Sequence, residues 1–323
     1  MEMSIGIETP DISLMKAFPR PQGGVLLPQD NRRAAADGLC LYTASKPLPI
    51  AVQRLAFWLV RGAGTRVLPG RATPWEPPFP ADVWATLTNA WAQAVGRFDA
   101  VAVYSRRQSE RTGMTLLLTS AAGPRAVVKI RDDVTGLAAE QEALTALEKS
   151  GPVTFQAPRA LGLGSIDGGG HWSAQSAVFT RPHSPATNPK RELFEEIPEL
   201  LSSLFGTADP QAAPAHNDLT IWNLRRDNRG TLWLFDWEDC GLAPLGSDET
   251  YFRTSLAGVR GRPMPEGLPV EAIRHWRRIV AARTTTSAAD KALRNQMLRA
   301  LDEADPEVTA RRPESRWFRR FGR

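Results

Sequence analysis

Apolar residues recur at helical spacing in several segments of the chain. In residues 81–95 they lie three and four positions apart, and Asp82 can cap the start of that helix. Residues 50–61 and 135–149 show the same period, and a Ser-Gly-Pro sequence ends the latter segment. We therefore predict a helix over each segment. Further predicted helices cover residues 192–205, 271–283 and 287–303.

Short apolar runs with the composition of β-strands follow the helix at 81–95. They are rich in Val and Leu, and polar segments containing glycine separate them. They cover residues 100–104, 114–118 and 126–130. This arrangement predicts a three-stranded antiparallel meander, against which the helix at 135–149 packs. Two further strands are predicted at 174–180 and 231–235, and the second runs directly into Asp236.

Two proline-rich breaks divide the chain. Residues 69–80 carry five prolines, which exclude a regular helix and indicate a linker, and residues 182–189 form a second break. The first 49 residues show no sustained periodicity, so we predict loops with short strands there. The predicted units are an N-terminal extension with its linker (1–80), a first lobe (81–182), a second lobe (183–309) and a basic tail (310–323).

Composition indicates a globular intracellular protein. With 42% hydrophobic residues, 323 residues can bury a substantial core. The two cysteines, Cys40 and Cys240, are far apart and lack CxxC spacing, which indicates neither a disulfide framework nor a zinc site. The N-terminus does not resemble a secretory signal, and the most apolar stretch, residues 48–60, is too short to span a bilayer. We expect a cytoplasmic protein.

The excess positive charge is confined to the tail. The net charge is +5, and the last 14 residues hold six arginines and one glutamate, so the rest of the chain is nearly neutral. This distribution does not indicate a nucleic-acid-binding groove. The tail also contains Trp317, Phe318 and Phe321, and Arg with aromatic residues is typical of interfacial anchors. We expect a solvated tail, and peripheral membrane contact by the tail is the alternative.

One segment, residues 215–239, holds the groups that phosphoryl transfer needs. Asp218 lies two residues after His216, Asn223 lies five residues after Asp218, and Asp236 follows a short apolar strand. Phosphoryl transfer requires a carboxylate that orients the acceptor hydroxyl and oxygen ligands that hold magnesium on the phosphates. A loop bearing Asp218 and Asn223 beside a strand end bearing Asp236 can supply both. By contrast, His171 and His183 have no ligand-type neighbours, so we expect both on the surface or in loops.

The pattern HxDLxxxNL, followed by an apolar strand and DWE, resembles the aminoglycoside phosphotransferase and choline kinase family over about residues 97–255. The pair Trp222–Asn223 and the DWE sequence resemble the branch associated with bacterial surface polysaccharide pathways. The resemblance implies a two-lobed α+β protein kinase-like fold, with a small antiparallel-sheet N-lobe and a mainly helical C-lobe. Here that fold would carry an N-terminal extension.

The resemblance also implies a role for each residue of the motif. Asp218 would be the catalytic base, and Asn223 and Asp236 would be the magnesium ligands. His216 would brace the loop without reacting, and Asp248 would support the same loop.

Upstream residues match the family's nucleotide site. Lys129 resembles the lysine that holds the nucleotide phosphates, and Glu140 resembles the helix glutamate that pairs with it. Glu142 is a rival for this pairing, because a shift of two residues is compatible with the sequence. Ala177 and Phe179 lie in the expected hinge, where backbone groups would meet adenine.

Together these features predict an ATP- and magnesium-dependent phosphotransferase whose acceptor is a hydroxyl of a small molecule, such as a sugar or a glycan precursor. Oligomeric state is left open. Three features depart from the family pattern: Asn217 replaces a usual glycine, Glu238 and Asp239 make the strand end acidic, and residues 105–113 contain a single glycine. The last feature favours the alternative of a nucleotide-binding pseudoenzyme or interaction protein. A protein kinase ranks last, because DWE replaces DFG and no APE sequence follows.

Overall fold

The computed structural model describes residues 14–19, 24–105, 113–206, 209–285 and 287–311. Within this part, the chain forms one lobe built on an antiparallel sheet and one mainly helical lobe. This confirms the predicted two-lobed α+β class. Most of the glycine-poor segment at 105–113 and residues 312–323 of the basic tail lie outside the described residues. The division at residues 80, 182 and 309 stays a prediction.

The first lobe contains eight antiparallel strands in one sheet. They are β1 (Leu14–Phe18), β2 (Val25–Pro28), β3 (Thr73–Pro74), β4 (Ala100–Ser105), β5 (Met114–Ser120), β6 (Gly123–Arg131), β7 (Ala160–Ser165) and β8 (His171–Ser176). Their order is β3-β1-β2-β4-β5-β6-β8-β7. The predicted meander is present as β4, β5 and β6, at the centre of a larger sheet.

One face of this sheet packs in the core and the other lines a cleft, because side chains alternate between the two faces along a strand. On one face, Leu116 and Val128 are buried in a cluster with Trp84 and Trp91 of α3 (Ala81–Val95). On the other face, Lys129 lies directly opposite Thr115 in the β5–β6 register and lines an open cleft. The same period that builds the core therefore places Lys129 towards the cleft.

The N-terminal segment is part of the sheet-bearing lobe. Strand β2 pairs with β4, α1 (Arg32–Gly38) packs on the same sheet, and α2 (Pro47–Ala63) packs on α1, so that Leu27, Phe57 and Val60 are buried. The expectation of only loops and short strands before residue 50 was therefore wrong for α1 and for the start of α2. Helix α1 has seven residues, too few to show a helical period in the sequence.

Helix α4 (Thr135–Ser150) packs between the sheet and the second lobe, which begins after β8. Its helices are α5 (Arg191–Leu201), α6 (Ser247–Arg260), α7 (Val270–Ala282), α8 (Ala288–Ala304) and α9 (Pro306–Arg311). Its short strands are β9 (Ser184–Pro185), β10 (Ala212–Ala215), β11 (Leu224–Arg226), β12 (Leu232–Leu234) and β13 (Gly241–Pro244). Among the described residues, no helix is long and apolar enough to cross a membrane.

We predict that Gly38→Ala destabilises the protein by about 1–3 kcal/mol, because overpacking a tight contact costs this much. A Cβ at Gly38 would lie 2.6 Å from Ala102 Cβ and 2.8 Å from a Leu27 methyl carbon, where α1 meets the sheet. Urea denaturation measures the change. Gly62→Ala in α2 is the control, because a Cβ there meets no atom within 4 Å. Equal stability of both variants would show that α1 does not pack on the sheet.

Candidate active site

A cleft of about 850 Å³ lies between the open face of the sheet, the segment after β8 and the loop at residues 216–223, here called the catalytic loop. Lys129, Asp218, Asn223 and Asp236 all line it. Residues separated by about a hundred positions in sequence thus meet in one cavity.

Lys129 is buried and forms an ion pair with Glu140 of α4, with 2.7 Å between Nζ and Oε1. The same carboxylate oxygen accepts the backbone N–H of Trp237 at 3.2 Å. Glu142, the rival partner, is exposed on α4 and makes no ion pair with Lys129. The helical spacing of α4 explains why Glu140 and not Glu142 pairs with Lys129, because Glu140 lies on the buried face of the helix and Glu142 does not.

Two further carboxylates contact Lys129. Its Nζ lies 2.7 Å from Asp236 Oδ1 and 2.9 Å from Glu238 Oε1. Burial alone would lower the pKa of Lys129, but Asp236, Glu140 and Glu238 together raise it above its ordinary value. Lys129 therefore stays charged throughout the physiological range.

Arg131 completes this cluster, and sequence reasoning did not single it out. Its guanidinium contacts both Glu238 oxygens, at 3.3 Å from Nε and 2.8 Å from Nη2. The acidic DWE segment is thus balanced by a second buried cation two residues after Lys129. The five groups are two cations and three carboxylates, so with all of them charged the cluster has a net charge of −1. The alternation of β6, which points Lys129 and Arg131 the same way, was the available sequence signal.

Asp236 lies where β12 ends, in a left-handed backbone conformation (φ 71°, ψ 57°). Residues other than glycine rarely adopt this conformation, which costs about 1–3 kcal/mol and is concentrated at functional sites. The turn directs the carboxylate to Lys129 and the cleft, while the next residue, Trp237, is fully buried.

His216 is buried and connects the catalytic loop to the strand that carries Asp236. Its Nδ1 accepts the backbone N–H of Asp218 at 3.1 Å, and its Nε2 lies 3.1 Å from the carbonyl of Phe235. One neutral tautomer, with the proton on Nε2, satisfies both contacts. Burial lowers the pKa of His216 to about 4, although Asp236 acts to raise it. This geometry suits a brace and not a general base.

Asn217 also adopts a left-handed conformation, with φ 61°. Asparagine tolerates this region better than most residues, which explains how it can replace the glycine of the related motif. Asp248, the second residue of α6, accepts the backbone N–H groups of His216 at 2.8 Å and Asn217 at 3.0 Å. Asp248 therefore holds the turn that precedes Asp218.

Asn223 and Asp218 contact each other across the catalytic loop. Asn223 Nδ2 donates to the Asp218 carbonyl at 2.9 Å and to Asp218 Oδ2 at 2.8 Å. With both amide hydrogens used, the Asn223 side chain presents Oδ1 as its metal-ligating atom. Among the described residues, no group of three or more His, Cys, Asp or Glu has the arrangement of a metal site. Magnesium needs only one or two protein carboxylates besides phosphates and water, so Asn223 and Asp236 fit it.

The segment after β8 forms the wall at the other end of the cleft. Ala177 and Phe179 both line the cavity. The Ala177 N–H donates to the carbonyl of Arg125 at 3.2 Å, so this N–H is already used within the protein. The Phe179 ring stacks on His183, with 3.9 Å between ring centroids.

The N-terminal segment supplies a further wall that sequence reasoning missed. Cys40, Leu41 and Thr43 line the cleft, on the same side as Phe179. No motif marked them, because their place depends on how α1 packs on the sheet and α2 packs on α1.

Arg225 and His183 hold this wall against the second lobe. Arg225 is fully buried and donates to His183 Nδ1 and to the carbonyl of Ala44, both at 2.8 Å. His183 Nε2 lies 2.9 Å from the carbonyl of Cys40. His183 lies in a loop, as expected, but the expectation that it has no partner was wrong, and the residue is buried and not on the surface. Burial, followed by the charge of Arg225, lowers the pKa of His183, so its ring is neutral.

Structure comparison finds solved chains of related architecture. An amicoumacin kinase is 12% identical, with a TM-score of 0.46, over 68% of this chain and 93% of that chain. A type VIII aminoglycoside-3'-phosphotransferase is 19% identical, with a TM-score of 0.37, over 66% and 98%. A putative fructosamine-3-kinase from Haemophilus somnus is 12% identical, with a TM-score of 0.40, over 67% and 97%. No family model and no curated protein sequence matches the chain significantly.

At such identities and TM-scores, the likeness carries no argument about family or activity. A functional assignment therefore depends on the residues of the cleft.

We predict that the free energy of unfolding falls as pH decreases from 6.5 to 4, by up to about 3 kcal/mol from His216. In the unfolded chain the His216 imidazole is protonated near pH 6.5, whereas in the native protein its pKa is about 4. The stabilising contribution is therefore present above pH 6.5 and lost as pH falls through that window. Urea denaturation at several pH values measures it. His216→Gln should show a shallower pH dependence, and an unchanged slope would contradict the assignment.

We also predict that Arg225→Met loosens the wall at Cys40–Thr43 and lowers stability by about 1–3 kcal/mol, because it leaves buried acceptors without their donor. Hydrogen exchange of residues 39–46 should become faster, and urea denaturation measures the stability. Arg226→Met is the matched control, since Arg226 is the exposed neighbour that bonds the carbonyl of Gly230. Unchanged exchange at 39–46 in Arg225→Met would contradict the proposed link.

Proposed function

We propose that this protein is a kinase that transfers the γ-phosphoryl group of ATP, with magnesium, to a hydroxyl group of a small molecule. The observation that carries the proposal is the meeting of two sets of groups in one cleft. One is the Lys129–Glu140–Asp236 ion-pair cluster, and the other is the Asp218–Asn223 pair of the catalytic loop. The first set suits phosphate and metal, and the second suits an acceptor hydroxyl.

The role of each residue follows from its chemistry. Asp218 would orient the acceptor hydroxyl and receive its proton as the phosphoryl group is transferred. Asn223 Oδ1 and the Asp236 carboxylate would hold magnesium, which neutralises charge on the phosphates. Lys129 would position the phosphates by a charge-assisted hydrogen bond, with Glu140 holding its ammonium in place.

The other end of the cleft suits a nucleotide base. Leu117 and Val127 form an apolar floor, and Leu41 and Phe179 lie on further walls. The Ala177 carbonyl supplies a backbone acceptor there. An apolar slot with one or two backbone groups is the usual way in which proteins recognise a planar ligand. ATP as the donor agrees with the cytoplasmic location that the sequence predicts.

For the acceptor we propose a sugar or a glycan precursor. The likeness of Trp222–Asn223 and of DWE to proteins of surface polysaccharide pathways supports this class. Between β8 and the catalytic loop, α5 is the only helix that the described residues offer for building an acceptor pocket. Ser287, Ala289 and Asp290, at the start of α8, also line the cleft and would contribute to that pocket.

The competing candidate is a pseudoenzyme that binds nucleotide without transferring phosphate. The single glycine in residues 105–113 favours it, because such a loop covers phosphates less readily than a glycine-rich one. The two candidates differ in turnover and agree in nucleotide binding.

We predict that Asp218→Ala lowers turnover by about 10²–10⁴-fold, because general-base catalysis contributes this much, and leaves ATP binding unchanged. ADP release is measured with magnesium, ATP and a panel of sugars and polyols, and binding by thermal shift. Asp236→Ala should instead remove the magnesium-dependent part of the ATP shift.

Glu142→Ala is the control, since this carboxylate is exposed on α4 outside the cleft. Wild-type turnover in Asp218→Ala would remove Asp218 from the mechanism. Binding of ATP by the wild type, without ADP release on any acceptor, would favour the pseudoenzyme.

A further inference from the structure

Helix α2 carries an exposed apolar stripe, here called the α2 apolar face. It consists of Leu48, Val52, Leu55, Trp58 and Leu59. Leu48, Val52, Leu55 and Leu59 lie four, three and four positions apart, so they form one line along the helix. Their exposed fractions are 73%, 46%, 61% and 46%, and Trp58 is 56% exposed.

This face is not the one by which α2 packs on the protein. Gln53, Ala56, Phe57 and Val60 are buried on the opposite side, against α1. A surface helix is normally polar where it meets water. Of the ten large hydrophobic side chains exposed among the described residues, five belong to α2. A continuous patch of this kind indicates a partner.

Basic residues predominate in the segment that carries this face. Residues 38–75 contain five basic residues and no acidic residue. Lys46 lies at the helix start and Arg54 within it, and both are exposed; Arg66 and Arg71 follow and are also exposed. Basic residues beside an apolar helix face are the typical composition of helices that lie on anionic membranes.

A small basic pocket adjoins the same helix. Its volume is about 300 Å³, and Arg33, Arg61 and Arg181 line it together with Trp58. The Arg181 guanidinium lies 5.7 Å from the Trp58 ring centroid. Asp37 also lines the pocket and pairs with Arg61 at 3.4 Å, so it offsets one of the three positive charges. The remaining charge suits an anionic group at the edge of the apolar face.

We propose that α2 docks on a bilayer containing anionic phospholipids, with the α2 apolar face among the headgroups and a lipid phosphate in the pocket of Arg33, Arg61 and Arg181. Three partners could cover the α2 apolar face: a second copy of the chain, the chain's own tail or a lipid surface. Their charges distinguish them. A second copy of α2 brings the same basic surface against itself, and the chain's own tail, with its six arginines, would also be repelled. An anionic lipid surface complements both the apolar and the basic part. This binding is independent of the proposed kinase activity.

Vesicle co-sedimentation of the full-length protein tests the proposal. Vesicles of phosphatidylglycerol and phosphatidylethanolamine are compared with vesicles of phosphatidylcholine alone. We expect binding to the anionic vesicles, and at least a tenfold loss of partitioning in the double variant Leu55→Gln, Leu59→Gln. Both side chains are exposed, so the variant should keep its fold, which circular dichroism checks. Val153→Gln with Leu242→Gln is the matched control, because these are also exposed hydrophobic residues.

Two further variants locate the binding. Arg61→Gln with Arg181→Gln should weaken binding to anionic vesicles only. Trp317→Ser with Phe318→Ser tests the tail, and we expect it to retain α2-dependent binding. Wild-type partitioning of the Leu55, Leu59 variant would overturn the proposal, as would equal binding to neutral vesicles. A concentration-dependent dimer that this variant abolishes, without vesicle binding, would assign the face to a second copy.

Discussion

The candidate site depends on one buried ammonium group. Lys129 extends from the central sheet and meets Glu140 from α4, and Asp236 and Glu238 from the segment after β12. Each of these charges would be costly to bury alone, and their mutual contacts offset that cost. The cluster therefore joins both lobes and determines where the Asp236 carboxylate lies. Arg131, paired with Glu238, keeps the excess negative charge small enough to bury.

The catalytic loop obtains its shape from backbone contacts to buried side chains. Asp248 holds two consecutive N–H groups, and neutral His216 joins the loop to the strand that ends at Asp236. Two left-handed residues, Asn217 and Asp236, make the turns that direct Asp218 and Asp236 into the cleft. The unfavourable backbone conformations persist because the surrounding contacts determine them.

The N-terminal segment has an inner side that packs on the rest of the protein and an outer side that is exposed. Its inner side completes the sheet and supplies Cys40, Leu41 and Thr43 to the cleft, held in place by His183 and Arg225. Its outer side exposes the α2 apolar face and a set of basic residues. The same N-terminal segment thus forms one end of the cleft and presents an exposed apolar and basic surface.

The sequence by itself determined the meander, the main helices and the order of Asp218, Asn223 and Asp236, because strand and helix periods and motif spacing are local properties. It did not decide whether Glu140 or Glu142 pairs with Lys129, because that depends on which side of α4 faces the lysine. Only the tertiary structure revealed Arg131, His183 and Arg225 as partners, and placed residues 40–43 at the cleft. Their contacts join segments up to about 180 positions apart, and no local pattern encodes the packing that brings such segments together.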